Sequence, residues 1–245
     1  MEQIDAGREA GGRRSRSVQE RPRTLLRIGG WAGIAGPSLF TAMFLVLEAV
    51  RRGEFSPVEQ PVSALEAGPY GGLQQLSFVV FGVCTLLFAA GLHRGLRASR
   101  WGAVGPALLG LSGVAAVLAA VFPLRQDVAG VVYDPGGHVV AGTTFFAASA
   151  LGLVVLSRRV AADPAWRGLA GWTVAAGVLC VVAFVVIGRF AVPDDAPLHD
   201  WAGLLQRSVL LVLFPMRIAL SWRLLRVAGS PATAATARAA APSPV

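Results

Sequence analysis

No lysine occurs in this chain: all 22 basic residues are arginine, set against 14 acidic residues, three histidines and two cysteines. Absent lysine beside abundant alanine, glycine and proline is the mark of GC-rich coding, so a bacterial source is expected. The same bias raises the sequence pI to about 11.2, which therefore does not point to nucleic acid, and no nucleic-acid partner is expected. Cys84 and Cys180 fall in the middle of apolar stretches, where small packing residues are common and structural disulfides are not; neither is assigned a role. Catalytic signatures are also missing. There is no HExxH or other paired-histidine motif, no Gly-x-Ser-x-Gly elbow and no glycine-rich strand-turn-helix that would cradle a phosphate, so no cofactor is expected. No internal repeat supports an inverted-repeat transporter.

Long apolar runs dominate what remains, with 54% hydrophobic residues and a mean hydropathy of +0.60. Six stretches, Ile28 to Leu47, Gly72 to Leu92, Ala103 to Phe122, Gly137 to Leu156, Gly168 to Gly188 and Gly203 to Trp222, are each about 20 residues long. At helical rise that length matches a hydrocarbon layer of roughly 30 Å. None has the polar face that a soluble amphipathic helix needs. The fold class expected is all-α, a polytopic bundle of six transmembrane helices over residues 28–226, between an Arg-rich tail (1–27) and an Ala/Pro/Ser/Thr tail (227–245), both expected to be disordered. The first stretch is too long for a signal-peptide core and ends at Glu48, Arg51 and Arg52 with no small-residue cleavage site, so it is read as a span.

Arginine is sorted to one side of these spans. Sixteen arginines lie in the tails and even-numbered loops, including the cluster from Arg8 to Arg27, Arg94, Arg97, Arg100, Arg158, Arg159 and Arg167. Only Arg51, Arg52, Arg125 and Arg189 lie on the other side. Basic residues near span ends are retained in the cytoplasm, so both termini are expected there, in the plasma (inner) membrane. The acids are skewed the opposite way, with nine of 14 in loops one, three and five. Beyond the bilayer itself, the Arg-rich tail suggests anionic lipid as a partner, at about 1 kcal/mol per arginine near a charged leaflet.

Polar residues collect at the outer helix ends. Glu59, Gln60 and Ser63 occupy the first outer loop, Asp127 and His138 flank the third, and His199, Asp200, Gln206 and Arg207 lie at the start of the sixth span. Seven-residue spacing places His199 over Gln206 and Asp200 over Arg207, each pair within about 20° of one helix face. Arg207, two turns inside the span, is expected either to snorkel or to pair with a carboxylate such as Asp200, Asp127 or Glu59. Arg217 is expected to snorkel towards the cytoplasmic end. Gly29 with Gly33, and Gly102, Gly105, Gly110 and Gly113, supply the small residues that let helices approach in lipid.

Three classes of function fit this pattern. In the first, the nine outer residues bind a lipid head group, small solute or partner, with Arg207 as the anion-binding charge. In the second, an intramembrane hydrolase, His138, His199 and a carboxylate from Asp127 or Asp200 hold a metal, leaving one position for water; Ser63 with His138 and Asp127 is its nucleophilic variant. The third is a small-solute transporter, against which stands the absence of charge at the span centres.

Ser56-Pro57, Val62-Ser63-Ala64-Leu65, Phe122-Pro123 followed by Asp127, His138 at a helix start, and Gly203-Leu204-Leu205-Gln206-Arg207 occur in an order that resembles the membrane family called domain of unknown function 998, found in bacteria and archaea. The resemblance covers about Ile28 to Arg226. It implies a six-helix integral membrane protein and supplies no activity. Ala64, and Leu124 with Arg125, stand where that family often carries an acid.

Overall fold

The computed structural model describes residues 3–99, 102–193 and 195–230, with residues 3–22 described by backbone alone. Six long helices follow in order: α1 (Gln3–Val50), α2 (Gly71–Gly95), α3 (Val104–Val121), α4 (His138–Ala162), α5 (Ala170–Phe190) and α6 (Ala202–Gly229). All six are long and apolar enough to cross a membrane, the crossing part of α1 being Arg23–Val50. The protein is a multi-pass membrane protein.

The first and last helices extend beyond the spans read from the sequence. Helix α1 continues back to Gln3, so the backbone of the Arg-rich segment is helical and continuous with the first span. The span provides the helix nucleus, and Ala, Arg, Glu and Gln propagate it well. At the other end α6 runs on to Gly229, while residues 231–245, with Arg100, Asp194 and Arg238 of the charge count, lie outside the described residues.

Consecutive helices pack side by side and α6 returns to α1, which closes the bundle into a ring. With six crossings, the start of α1 and the end of α6 lie at one end, here the terminal end, and loops one, three and five lie at the other, the odd-loop end. Close approaches occur where a side chain would not fit. A Cβ on Gly29 would sit 2.8 Å from the Leu87 carbonyl oxygen, and one on Gly82 would sit 2.6 Å from that of Gly113. Such contacts bring α1 onto α2 and α2 onto α3 by van der Waals packing, because lipid supplies no hydrophobic drive between helices. Gly110, by contrast, makes only ordinary contacts. Exposed Trp31, Trp172 and Trp222 stand near the terminal end, and exposed Tyr70, Tyr133 and Trp201 near the odd-loop end. Amphipathic rings at both ends match the two interfaces of a bilayer.

Helix α5 is the least packed: 17% of its apolar window is buried, against 33–50% for the others. Phe184, Ile187 and Gly188 of this helix face open space between the helices.

Hydrogen bonding fixes both ends. At the terminal end the Arg159 guanidinium donates to the carbonyls of His93, Leu96, Arg97 and Gly102 at 2.6–2.9 Å. It thereby satisfies orphan carbonyls at the C-terminus of α2 and places positive charge where the helix dipole favours it. The Trp166 indole donates to Gly95 O, and Asp163 accepts from Arg97 N at 2.9 Å. At the odd-loop end a short antiparallel ribbon pairs β1 (Arg125–Gln126) with β2 (Val132–Tyr133) between α3 and α4.

Candidate functional site

A cavity of about 810 Å³ fills the odd-loop half of the ring, walled by all six helices and roofed by loops one, three and five. Seven of the nine expected outer residues line it: Glu59, Gln60, Ser63, His138, His199, Asp200 and Gln206. Arg207 and Asp127 do not. Asp127 turns towards its own ribbon, accepting from the backbone N–H of Ala129 and Val131 at 2.9 and 2.8 Å. Short acidic side chains in tight turns commonly close in this way, and the bond removes Asp127 from the cluster.

Loop one is held over the cavity by the start of α6. Backbone N–H groups of Gly203 and Leu204 donate to Glu59 O and Val58 O at 3.1 and 2.9 Å, so the loop satisfies donors that a helix N-terminus leaves unpaired. A Cβ on Gly203 would overlap the carbonyls of Pro57 and Gln60, hence the glycine. The Gln206 side-chain oxygen accepts from Val62 N at 2.7 Å. Arg207 donates to Glu48 Oε1 through Nε at 3.1 Å and Nη2 at 2.5 Å, and through Nη1 to the carbonyls of Gln60 and Gly203 at 2.9 Å. The pairing expected of Arg207 is present, but its partner is Glu48 on α1 rather than Asp200, Asp127 or Glu59. The run Gly203 to Arg207 is thus a clamp on loop one, and the Arg207 charge is spent on Glu48.

His138 opens α4 and points its Nδ1 at Glu66 Oε2, 3.1 Å away, with the carbonyls of Ala119 and Phe122 at 3.2 and 3.1 Å. Three acceptors around one nitrogen fix the proton on Nδ1. Glu66 is buried, and its Oε2 also accepts from Leu124 N at 3.3 Å, so it ties loop one to loop three. The acid that orients His138 is therefore Glu66, not Asp127. Asp134 caps α4: its carboxylate accepts from Gly136 N, His138 N and Val139 N at 2.8, 3.3 and 2.9 Å. Desolvation pushes its pKa upward, but these backbone donors outweigh that and hold it below the usual carboxylate value.

Among the described residues no group of three or more His, Cys, Asp or Glu is placed to hold a metal ion. His138, His199 and Asp127 do not converge. Glu59, His199 and Asp200 make no side-chain hydrogen bond or ion pair among the described residues and face the cavity.

Below this polar rim the wall is aromatic. Phe40, Phe78, Phe81, Phe145, Phe146, Phe184 and Phe214 line the depth. Phe81 meets Phe145 and Phe214 with ring centroids 5.7 and 5.3 Å apart. Sequence reasoning missed these rings because a helix that faces lipid on one side and an apolar cavity on the other shows no periodicity. Beneath them lies Arg217. It is buried at 6% exposure near the middle of α6 and does not snorkel. The expected snorkelling, and the expected absence of charge at the span centres, fail because α6 extends seven residues past Trp222 to Gly229, which moves Arg217 inward. Of the intramembrane hydroxyls, Thr85, Ser112, Thr144 and Thr173 bond to carbonyls of their own helices at 2.6–2.8 Å, as short polar side chains in spans commonly do.

Residues 34–223 match the sequence profile of a family described as a protein of unknown function, DUF998. The match takes in α2 to α5 whole and most of the first and last spans, together with every cavity residue, Glu48, Glu66 and Arg217. The chain belongs to the DUF998 family. No curated protein and no solved structure matches it. Within this DUF998 protein, the short motifs of the loops make the contacts that shape the cavity: Val62 and Leu65 of loop one are buried, His138 meets Glu66, and Gly203, Gln206 and Arg207 clamp the loop.

Proposed function

We propose that this DUF998 protein binds an amphiphile in the odd-loop cavity, with an apolar chain among the phenylalanines and a cationic or hydrogen-bond-donating head group at the rim. One observation carries the reading. In a chain whose basic residues are 22 arginines, the cavity lining contains Glu59, Asp134, Asp200, His138 and His199 and no arginine. A cleft lined by one sign of charge concentrates ligands of the opposite sign, and its volume falls within the roughly 300–1,000 Å³ of small-molecule sites. An anionic head group is disfavoured here, since Arg207 is already paired with Glu48. Calorimetry in nanodiscs with dodecylamine and dodecanoate, which differ only in head group, tests this. The amine is expected to bind saturably and the carboxylate not to; preferential binding of dodecanoate would reverse the assignment.

The arginine asymmetry supports a plasma-membrane orientation with both termini in the cytoplasm and the cavity facing outward. A Cβ at Gly53 in loop one meets nothing within 4 Å, so Gly53→Cys is expected to label with a membrane-impermeant maleimide in intact cells. Labelling only after lysis would invert the topology.

A further inference from the structure

We propose that Arg217 holds a monovalent anion of halide size in a chamber beneath the phenylalanine floor of the cavity. The chamber is small, about 20 Å³, and is lined by Arg217, Thr85, Ser112 and Ser149 among phenylalanine and leucine side chains. That space admits one water-sized particle. The guanidinium reaches Thr85 Oγ1 at 2.7 Å through Nη1, and the Thr85 hydroxyl in turn donates to Phe81 O at 2.6 Å. Thr85 is therefore a neutral acceptor and leaves the charge uncompensated. Phe81 and Phe88 stand 4.8 and 5.1 Å from the guanidinium carbon, which offsets part of the cost. Arg217 Nε and Nη2 have no hydrogen-bond partner among the described residues, and no carboxylate there forms an ion pair with Arg217.

A charged arginine at a span centre is costly unless it is paired, and its unpaired buried donors add to that cost. Arg207 and Arg159 meet their requirement with a carboxylate and with four carbonyls. Arg217 has donors left over, its Nη2 on the side of Gly36, and its side chain lines the chamber. An anion in the chamber supplies the missing negative charge beside the guanidinium, with no carboxylate in the chamber wall to repel it. Entry runs from the large cavity, since Phe81, Phe145 and Phe214 line both spaces. The site is independent of what occupies the large cavity.

The test is thermal unfolding of the full chain in zwitterionic nanodiscs, with sodium chloride or bromide replacing sodium gluconate at constant ionic strength. Gluconate is too large for the chamber. The unfolding midpoint is expected to rise by several degrees and to saturate as halide replaces gluconate. Arg217→Met, which replaces the buried charge with an apolar chain of similar length, is expected to fold and to lose the dependence. Equal midpoints in halide and gluconate would mean that the chamber holds water only and would overturn the proposal, as would a dependence that survives in Arg217→Met. If that variant does not fold, anomalous diffraction from bromide-soaked wild-type crystals decides the matter: a peak beside the guanidinium sustains the site and its absence removes it.

Discussion

Asp134 shows how much one side chain can hold. Its two oxygens take three backbone donors at the start of α4, the work of a helix N-cap, and it also stands on the cavity wall. The folded pKa lies below that of the unfolded chain, about 3.9 for aspartate. In the window between the two values the unfolded state therefore binds more protons. The stabilisation is complete above the unfolded value and is lost as pH falls through the folded one. Asp134→Ala should lower stability by about 1 kcal/mol at pH 6, and the gap from wild type should close towards pH 3. Denaturant unfolding at both values measures this, and a gap that does not change with pH would exclude the carboxylate as the cap. At this scale the sequence was partly readable. The outer polar residues could be grouped because helix ends of one parity share a depth, and seven of nine do meet. Asp127 could not be separated from them, since only a two-residue ribbon turns it back on itself. Glu66 read as one more loop acid, because its partner His138 lies 72 positions later in the sequence.

Between elements, the decisive contact is the clamp of α6 on α1 and loop one. Arg207 and Glu48 are 159 positions apart, so residue spacing pointed to a carboxylate without saying which. Both side chains are largely buried, at 15% and 11% exposure, so removing one strands the other. Arg207→Ala is expected to cost about 3 kcal/mol. Replacing both partners together, by Glu48→Leu and Arg207→Leu, should restore most of that loss, because no buried charge then remains. Steric-trap unfolding in bicelles gives both numbers; a single-variant loss below about 0.5 kcal/mol, as for an exposed pair, would show that the clamp rests on the contacts of Gly203, Leu204 and Gln206. The six spans themselves were legible because an uncharged apolar run of about 20 residues matches the bilayer's thickness and seldom occurs in a soluble core. Their ends were not, since Arg-containing turns such as those closing α4 and α6 satisfy helix propensity and interface chemistry equally well. That uncertainty of two turns at the end of α6 is what misplaced Arg217.

Taken as a whole, the molecule is a ring of helices least packed at α5, with an acidic rim, an aromatic interior and an arginine below. Such a gradient along one axis suits a ligand with two dissimilar ends, and the His138–Glu66 contact and the α6 clamp hold the wall. The volume could not be foreseen from sequence, because a cavity is made by side chains that fail to meet. The central claim is that this space is a binding site. A Cβ on Gly142, which lines the cavity, meets nothing within 4 Å, so the side chain of Gly142→Leu starts in open space and takes up cavity volume, and a leucine within a helix is favoured over glycine by up to about 1 kcal/mol. Calorimetric titration of dodecylamine into nanodisc-embedded wild type and Gly142→Leu is the most direct measurement. The predicted result is a variant at least as resistant to unfolding as wild type, with affinity reduced about tenfold or more, equivalent to 1.4 kcal/mol; equal affinity in the folded variant would contradict it.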